Sequence, residues 1–195
     1  MKNKLLTIFS VVVLIFSFAC TKKNDSPKIN VGNELSNLPS WVLDPSVENG
    51  IGAVGIASPS RGGIKFQISK AELDAKGNIA ATIQSEISRI TKNSLRSAQV
   101  NDNDDVEEFF AQATKEVIKN LPLSGIKRLN IFKSKDGSLY IHMILTNEDY
   151  SKFLKNGQKI FSDRVVNSGL GRDNINKTQE ASQELFSELE KERKE

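Results

Sequence analysis

The chain has 195 residues, a formal net charge of +3, 26% charged residues, and a single cysteine and a single histidine. A lone cysteine leaves no disulfide, redox pair or zinc cage, and a lone histidine leaves no multi-histidine metal site. The lysines are interleaved with acids, which excludes a nucleic-acid footprint, and neither metal nor cofactor is expected.

Lys2 and Lys4 form a short positive segment, Leu5 to Phe16 is nearly continuous hydrocarbon, and Ser17-Phe18-Ala19 leads to Cys20. A basic end, a short apolar run and a small residue at the cut are the build of an export signal over residues 1–19. The run falls short of the ~20 residues that cross a bilayer. The segment resembles the lipobox of bacterial lipoproteins, in which Cys20 would be acylated through its sulfur, carry palmitate and become the new N-terminus. Ser17 stands where that pattern has leucine, and Phe18 is bulky at the next position. The other reading is a plain signal peptide cut near Ala19, with Cys20 incidental. Loss of Lys2 and Lys4 brings the mature chain close to neutrality.

Residues 20–38 read as a lipidated cysteine and a flexible tether, polar and short of apolar side chains. Thr21 follows the cysteine where enterobacterial lipoproteins retained at the inner membrane have aspartate. The expectation is therefore an anchor in the outer membrane.

Order is expected from Pro39, with two prolines holding Pro39 to Pro45 extended and Trp41 packing over one end of the core. Gly50 to Ala57 spells GxGxxG, but its glycines lie inside an apolar run and Ser58 to Gly63 precede any helix. That context fails the dinucleotide fingerprint and predicts a glycine-rich strand on which a helix lies close. Ile64, Ile68, Ala71, Ala75 and Ile79 recur at helical spacing, with Ser69 and Glu72 as a capping box. The middle of Glu86 to Val100 is expected to be a strand.

Asn101 to Asp105 imitates a calcium loop but lacks the glycine and glutamate of an EF-hand in either register. These acids suit a helix N-terminus, with Val106, Phe109, Phe110, Ala113, Val117 and Leu121 on the buried side and Pro122 as the stop. Ile126 to Ser134 and Leu139 to Leu145 form a hairpin turned at Lys135-Asp136-Gly137. Leu139, Ile141, Met143 and Leu145 share its inner face, and His142 is expected to be a half-exposed strand residue and no catalyst. Asn147 should cap a further helix carrying Tyr150, Phe153 and Leu154 inward, and Gly157, Gly169 and Gly171 mark loosening. In the tail, Ala181, Leu185, Phe186 and Leu189 form a narrow stripe, and Glu190 and Lys194 are spaced to pair. That stripe docks on the domain, pairs with a partner helix, or frays in solvent.

The P-x-W-V of Pro39 to Val42, the glycine strand Ile51 to Ala57, the alanine-spaced helix, Leu123-Ser124-Gly125-Ile126 and the aspartate-glycine hairpin together resemble the Lpp-twenty family of bacterial lipoproteins. That family is typified by a small Helicobacter outer-membrane lipoprotein. The resemblance covers about residues 39–146 and its motifs are short. It implies an α+β fold, an antiparallel sheet packed against one long and one shorter helix (dodecin-like), with a helical C-terminal tail. It also implies a membrane-anchored envelope protein without known catalysis, and relatives that include flagellum-associated lipoproteins and surface antigens. No catalytic residue carries over; Cys20 transfers as the lipid attachment site.

The expected organisation is a signal peptide (1–19), a tether (20–38), an α+β domain (39–168) and a charged helical tail (169–195). The expected function is a non-enzymatic lipoprotein of the outer membrane, acting as an assembly or interaction module. Its partners would be the bilayer through acylated Cys20, further copies of itself or envelope proteins, and no nucleic acid. The alternatives are a surface adhesin or antigen engaging host material, and a small-ligand domain using a cleft near Trp41 and the glycine strand.

Overall fold

The structure, a computed structural model, describes residues 35, 37–98 and 104–193. All elements below belong to the unit Leu38–Glu195. In chain order they are helix α1 (Ser40–Leu43), strand β1 (Gly50–Ala57), helix α2 (Gly63–Ser97), helix α3 (Asp104–Lys119), a 3-10 turn (Leu123–Gly125), strands β2 (Lys127–Lys133) and β3 (Leu139–Thr146), helix α4 (Asn147–Val166) and helix α5 (Arg172–Lys191). The strands make an antiparallel sheet in the order β1-β3-β2, so the fold is α+β as expected.

Side chains of opposite parity on each strand go to opposite faces. Ile51, Ala53 and Ala57 of β1 and Leu139, Ile141, Met143 and Leu145 of β3 form the inner face, and all are buried. Helix α2 lies on that face with Ala71, Ala75 and Ile79 inward. Gly55 makes the approach possible: a Cβ there would overlap the Ala71 carbonyl oxygen and the Ala75 amide nitrogen. The hairpin turns at Gly137, whose φ is +86°, a conformation glycine adopts without a Cβ penalty.

A second cluster of the same core gathers around Phe161 of α4. Its ring centroid lies 4.7 Å from Phe110 and 5.8 Å from Phe109 of α3, and 6.1 Å from Phe186 of α5. Ala181, Leu185 and Leu189 are buried beside Phe186, so of the three options for the tail stripe, docking is the one observed. The Phe186 ring also passes Gly157, where a Cβ would come within 2.8 Å of Val117 Cγ1. Gly157 therefore marks a tight helix contact, not a loosening of the chain. Gly169 and Gly171 do fall at the turn between α4 and α5.

Several local expectations are corrected. The strand expected within Glu86 to Val100 does not form, because α2 continues to Ser97. Ile83, Ile87, Ile90 and Ser94 extend the buried stripe at spacings of three and four, and burial on α3 and α5 overrides the β preference of isoleucine. A helix of this length spans about 50 Å where the strands reach about 27 Å, so its second half leaves the sheet and serves the helical layer. Ser69 and Glu72 do not cap it: α2 starts earlier, at Gly63, and Ser69 Oγ donates to Lys65 O inside the helix. Ile64, placed on the buried stripe, is exposed.

The prolines restrict only their neighbours. Asp44, preceding Pro45, is extended (φ −132°, ψ 93°), while Ser40 to Leu43 close a helical turn. The cap of α4 is Thr146, whose hydroxyl accepts from Asp149 N at 3.2 Å, and Asn147 is the first helical residue. Leu121 is half-buried, beyond the end of α3.

Two predictions follow from the packing and the turn. Gly55→Ala forces α2 off the sheet and costs about 3 kcal/mol, whereas Gly77→Ala, with open space around it in the same helix, gains ~0.5–1 kcal/mol; urea unfolding of the two variants reads the opposite signs. Asp136 accepts hydrogen bonds from the Ser134 hydroxyl and from the hydroxyl and amide of Ser138, which hold its carboxyl below the usual aspartate range. The stability this turn contributes is present above the ordinary aspartate pKa and lost as pH falls through the depressed one. NMR titration should place the Asp136 midpoint under that of an aspartate in an unstructured peptide.

Candidate functional site

On the sheet face turned away from α2, strand parity groups Val54, His142 and Asn130 across the three strands. The His142 ring is sandwiched under Trp41, with centroids 5.5 Å apart and planes 4° from parallel. His142 Nε2 lies 2.9 Å from the Pro45 carbonyl oxygen. A carbonyl only accepts, so Nε2 carries the hydrogen and Nδ1 is left as the acceptor for Asn130 Nδ2, 3.3 Å away. The tautomer is assigned from this bonding. His142 is 3% exposed, which corrects the half-exposed expectation, and Trp41 covers the outer sheet face, not an end of the core.

The effect is a strap. Segment Ser40–Pro45 crosses the glycine strand where Gly52 has no side chain, and a Cβ there would overlap the Pro45 carbonyl oxygen. The space beside Gly52 is thus filled by the Pro45 carbonyl. One imidazole nitrogen holds the strap through Pro45, and the other is engaged by Asn130 of β2.

A second polar cluster lies at the C-terminal end of α5. Arg193 pairs with Glu86 of α2 and stands over the Tyr150 ring, 5.5 Å from its centroid, while its carbonyl accepts from Asn147 Nδ2 at 3.3 Å. Burial pushes the Tyr150 phenol above its ordinary range, and the Glu86 charge adds to the shift. Arg89 and Glu192 pair one turn further along α2. These contacts clasp the end of α5 to α2 and to the start of α4.

The two sheet edges differ. On β1 the Ile56 amide donates to Asp74 Oδ2 at 2.8 Å, and Asn78 Nδ2 donates to the Val54 carbonyl oxygen at 2.9 Å. Two side chains of α2 therefore occupy one outward amide and one outward carbonyl of that edge. Because those groups of Val54 and Ile56 face outward, antiparallel alternation turns the backbone groups of their partners His142 and Tyr140 toward β2. Asn130 and Phe132 receive them, and Ile131 and Lys133 point theirs to the open side. Six of the seven residues of β2 are exposed.

Cys20 lies outside the described residues, as do Asn101 to Asn103 of the acidic run and Lys194 of the Glu190 pair. Asp104 and Asp105 open α3, in keeping with the helix-start reading. Among the described residues no three His, Cys, Asp or Glu side chains are grouped to hold a metal ion, and no helix is long and apolar enough to cross a membrane. Sequence reasoning missed the meeting of Trp41, Asn130 and His142. The hairpin pattern carried half the signal, since counting back from Asp136-Gly137 sets Asn130 near His142; the strap that completes the group has no periodic signature. No protein-family model and no curated protein matches the chain.

His142→Ala strips Pro45 and Asn130 of their partner and Trp41 of its stacking surface. The expected cost is about 1–3 kcal/mol, with a red shift of emission from Trp41, the only tryptophan. Denaturant titration followed by fluorescence checks both.

Proposed function

We propose that this chain is a non-enzymatic envelope lipoprotein, anchored by acylated Cys20 in the outer membrane, whose folded unit is an assembly or interaction module. The observation that carries the proposal is the opening sequence: a basic start, the apolar run Leu5 to Phe16, and the only cysteine directly after Ala19. The polar stretch from Thr21 to Leu38 suits a tether between lipid and domain. The resemblance to the Lpp-twenty lipoproteins supports the same reading. The engagement of His142 by Pro45 and Asn130 supports a structural use of the one histidine, and the open edge of β2 offers backbone groups for association.

Metabolic labelling with palmitate, followed by fractionation, tests the anchor. Wild type should carry label and sediment with outer membranes. Cys20→Ser should lose the label and shift to the soluble fraction. Label retained in the variant, or an unlabelled soluble wild type, contradicts the proposal.

A further inference from the structure

The open edge of β2 differs from a neutral edge in its charge. Lys127, Arg128 and Lys133 lie on the strand and Lys135 on the turn beyond it, with Leu129 (45% exposed) and Ile131 (47% exposed) between them. Arg128 is engaged by Glu72 of α2; among the described residues no ion pair involves Lys127, Lys133 or Lys135. Among the described residues, no strand lies beyond the outward amide and carbonyl groups of Ile131 and Lys133. On the opposite edge, β1, Asp74 and Asn78 of α2 take up the Ile56 amide and the Val54 carbonyl.

From this juxtaposition we infer that β2 is a docking edge for an extended acidic segment of another protein, which adds to the sheet as a fourth strand. Main-chain bonds to Ile131 and Lys133 supply affinity, and Lys127, Lys133 and Lys135 select carboxylate side chains flanking apolar ones. A second copy of this chain is the poorer occupant. Antiparallel pairing of β2 with itself would bring two sets of Lys127, Lys133 and Lys135 together along one seam, and like charges gathered across paired strands are destabilising. Lysine on an edge strand is a means by which sheets resist self-pairing. The same charges that repel a copy attract an acidic strand.

The inference rests on the interaction-module reading and names its partner class. It does not depend on the lipid: binding is read in detergent, where Cys20→Ser and wild type should behave alike, so failure of the anchor and failure of the edge are separate results. The probe is a fluorescein-labelled peptide of alternating threonine and glutamate with valine at its centre. Its counterpart has lysine for glutamate, and a third version is N-methylated on alternate backbone amides. With the full-length chain in non-ionic detergent, fluorescence anisotropy should show the acidic peptide binding at least tenfold more tightly than the lysine peptide, and weakening with salt. N-methylation on the bonding side should weaken it at least tenfold. Ile131→Pro removes an outward amide without costing a bond to β3 and should do the same. The double variant Lys127→Glu, Lys133→Glu, confined to exposed side chains, should reverse the preference toward the lysine peptide. Equal affinity for the two peptides, no binding of the acidic peptide, or binding indifferent to N-methylation overturns the inference. Concentration-dependent dimerisation that Ile131→Pro abolishes would assign the edge to a second copy and overturn it as well.

Discussion

The backbone-to-backbone approach of α2 and β1 at Gly55 is the constraint on which the rest of the structure depends. With no side chain at Gly55 and only methyl groups at Ala71 and Ala75, the helix settles against the sheet at the distance where Asp74 and Asn78 reach the strand edge beside it. Those two side chains then occupy the Ile56 amide and the Val54 carbonyl. Close packing and edge protection are thus one event. A bulkier residue at Gly55 would lift the helix and withdraw both side chains from the edge.

The same helix links the two halves of the core. Its first half covers the inner face of β1 and β3. Its second half, carrying Ile83, Ile87 and Ile90, joins the aromatic cluster around Phe161. Each fully buried isoleucine is worth ~1.5–3 kcal/mol, so a helix that spans both regions couples their stability. The clasp of Arg193 on Glu86 and the pair of Arg89 with Glu192 tie α5 to that second half. The Glu86–Arg193 pair is largely shielded, with side chains 18% and 19% exposed. Arg89 is more open, and exposed pairs of that kind contribute little.

Placing α2 along β1 leaves β2 as the one uncovered strand of a small sheet, and its composition fits that position. Six of its residues are exposed; Lys127 and Lys133 face solvent, while Arg128 reaches Glu72 of α2. On the other sheet face the Ser40–Pro45 strap is held by a stacked tryptophan and histidine and by the Pro45 carbonyl. The residues that follow the proposed tether are therefore fixed across the sheet that β2 extends.

Much of this was legible in the linear sequence, because periodicity reports one-sided burial. Alternation in Leu139 to Leu145 and the Asp136-Gly137 turn fixed the hairpin, and the glycine run beside an alanine-spaced stripe announced a helix lying close on a strand. The stripe of Ala181, Leu185 and Leu189 showed that the tail helix has an apolar side, but not what that side meets. Only the tertiary structure decided three matters. Isoleucine after Ser85 stays helical because α3 and α5 bury it, where its local preference pointed to a strand. His142 is buried because a non-periodic strap crosses it, which neither composition nor spacing encodes. The difference between the β1 and β2 edges arises from where α2 comes to rest, a matter of contacts between residues far apart in the chain.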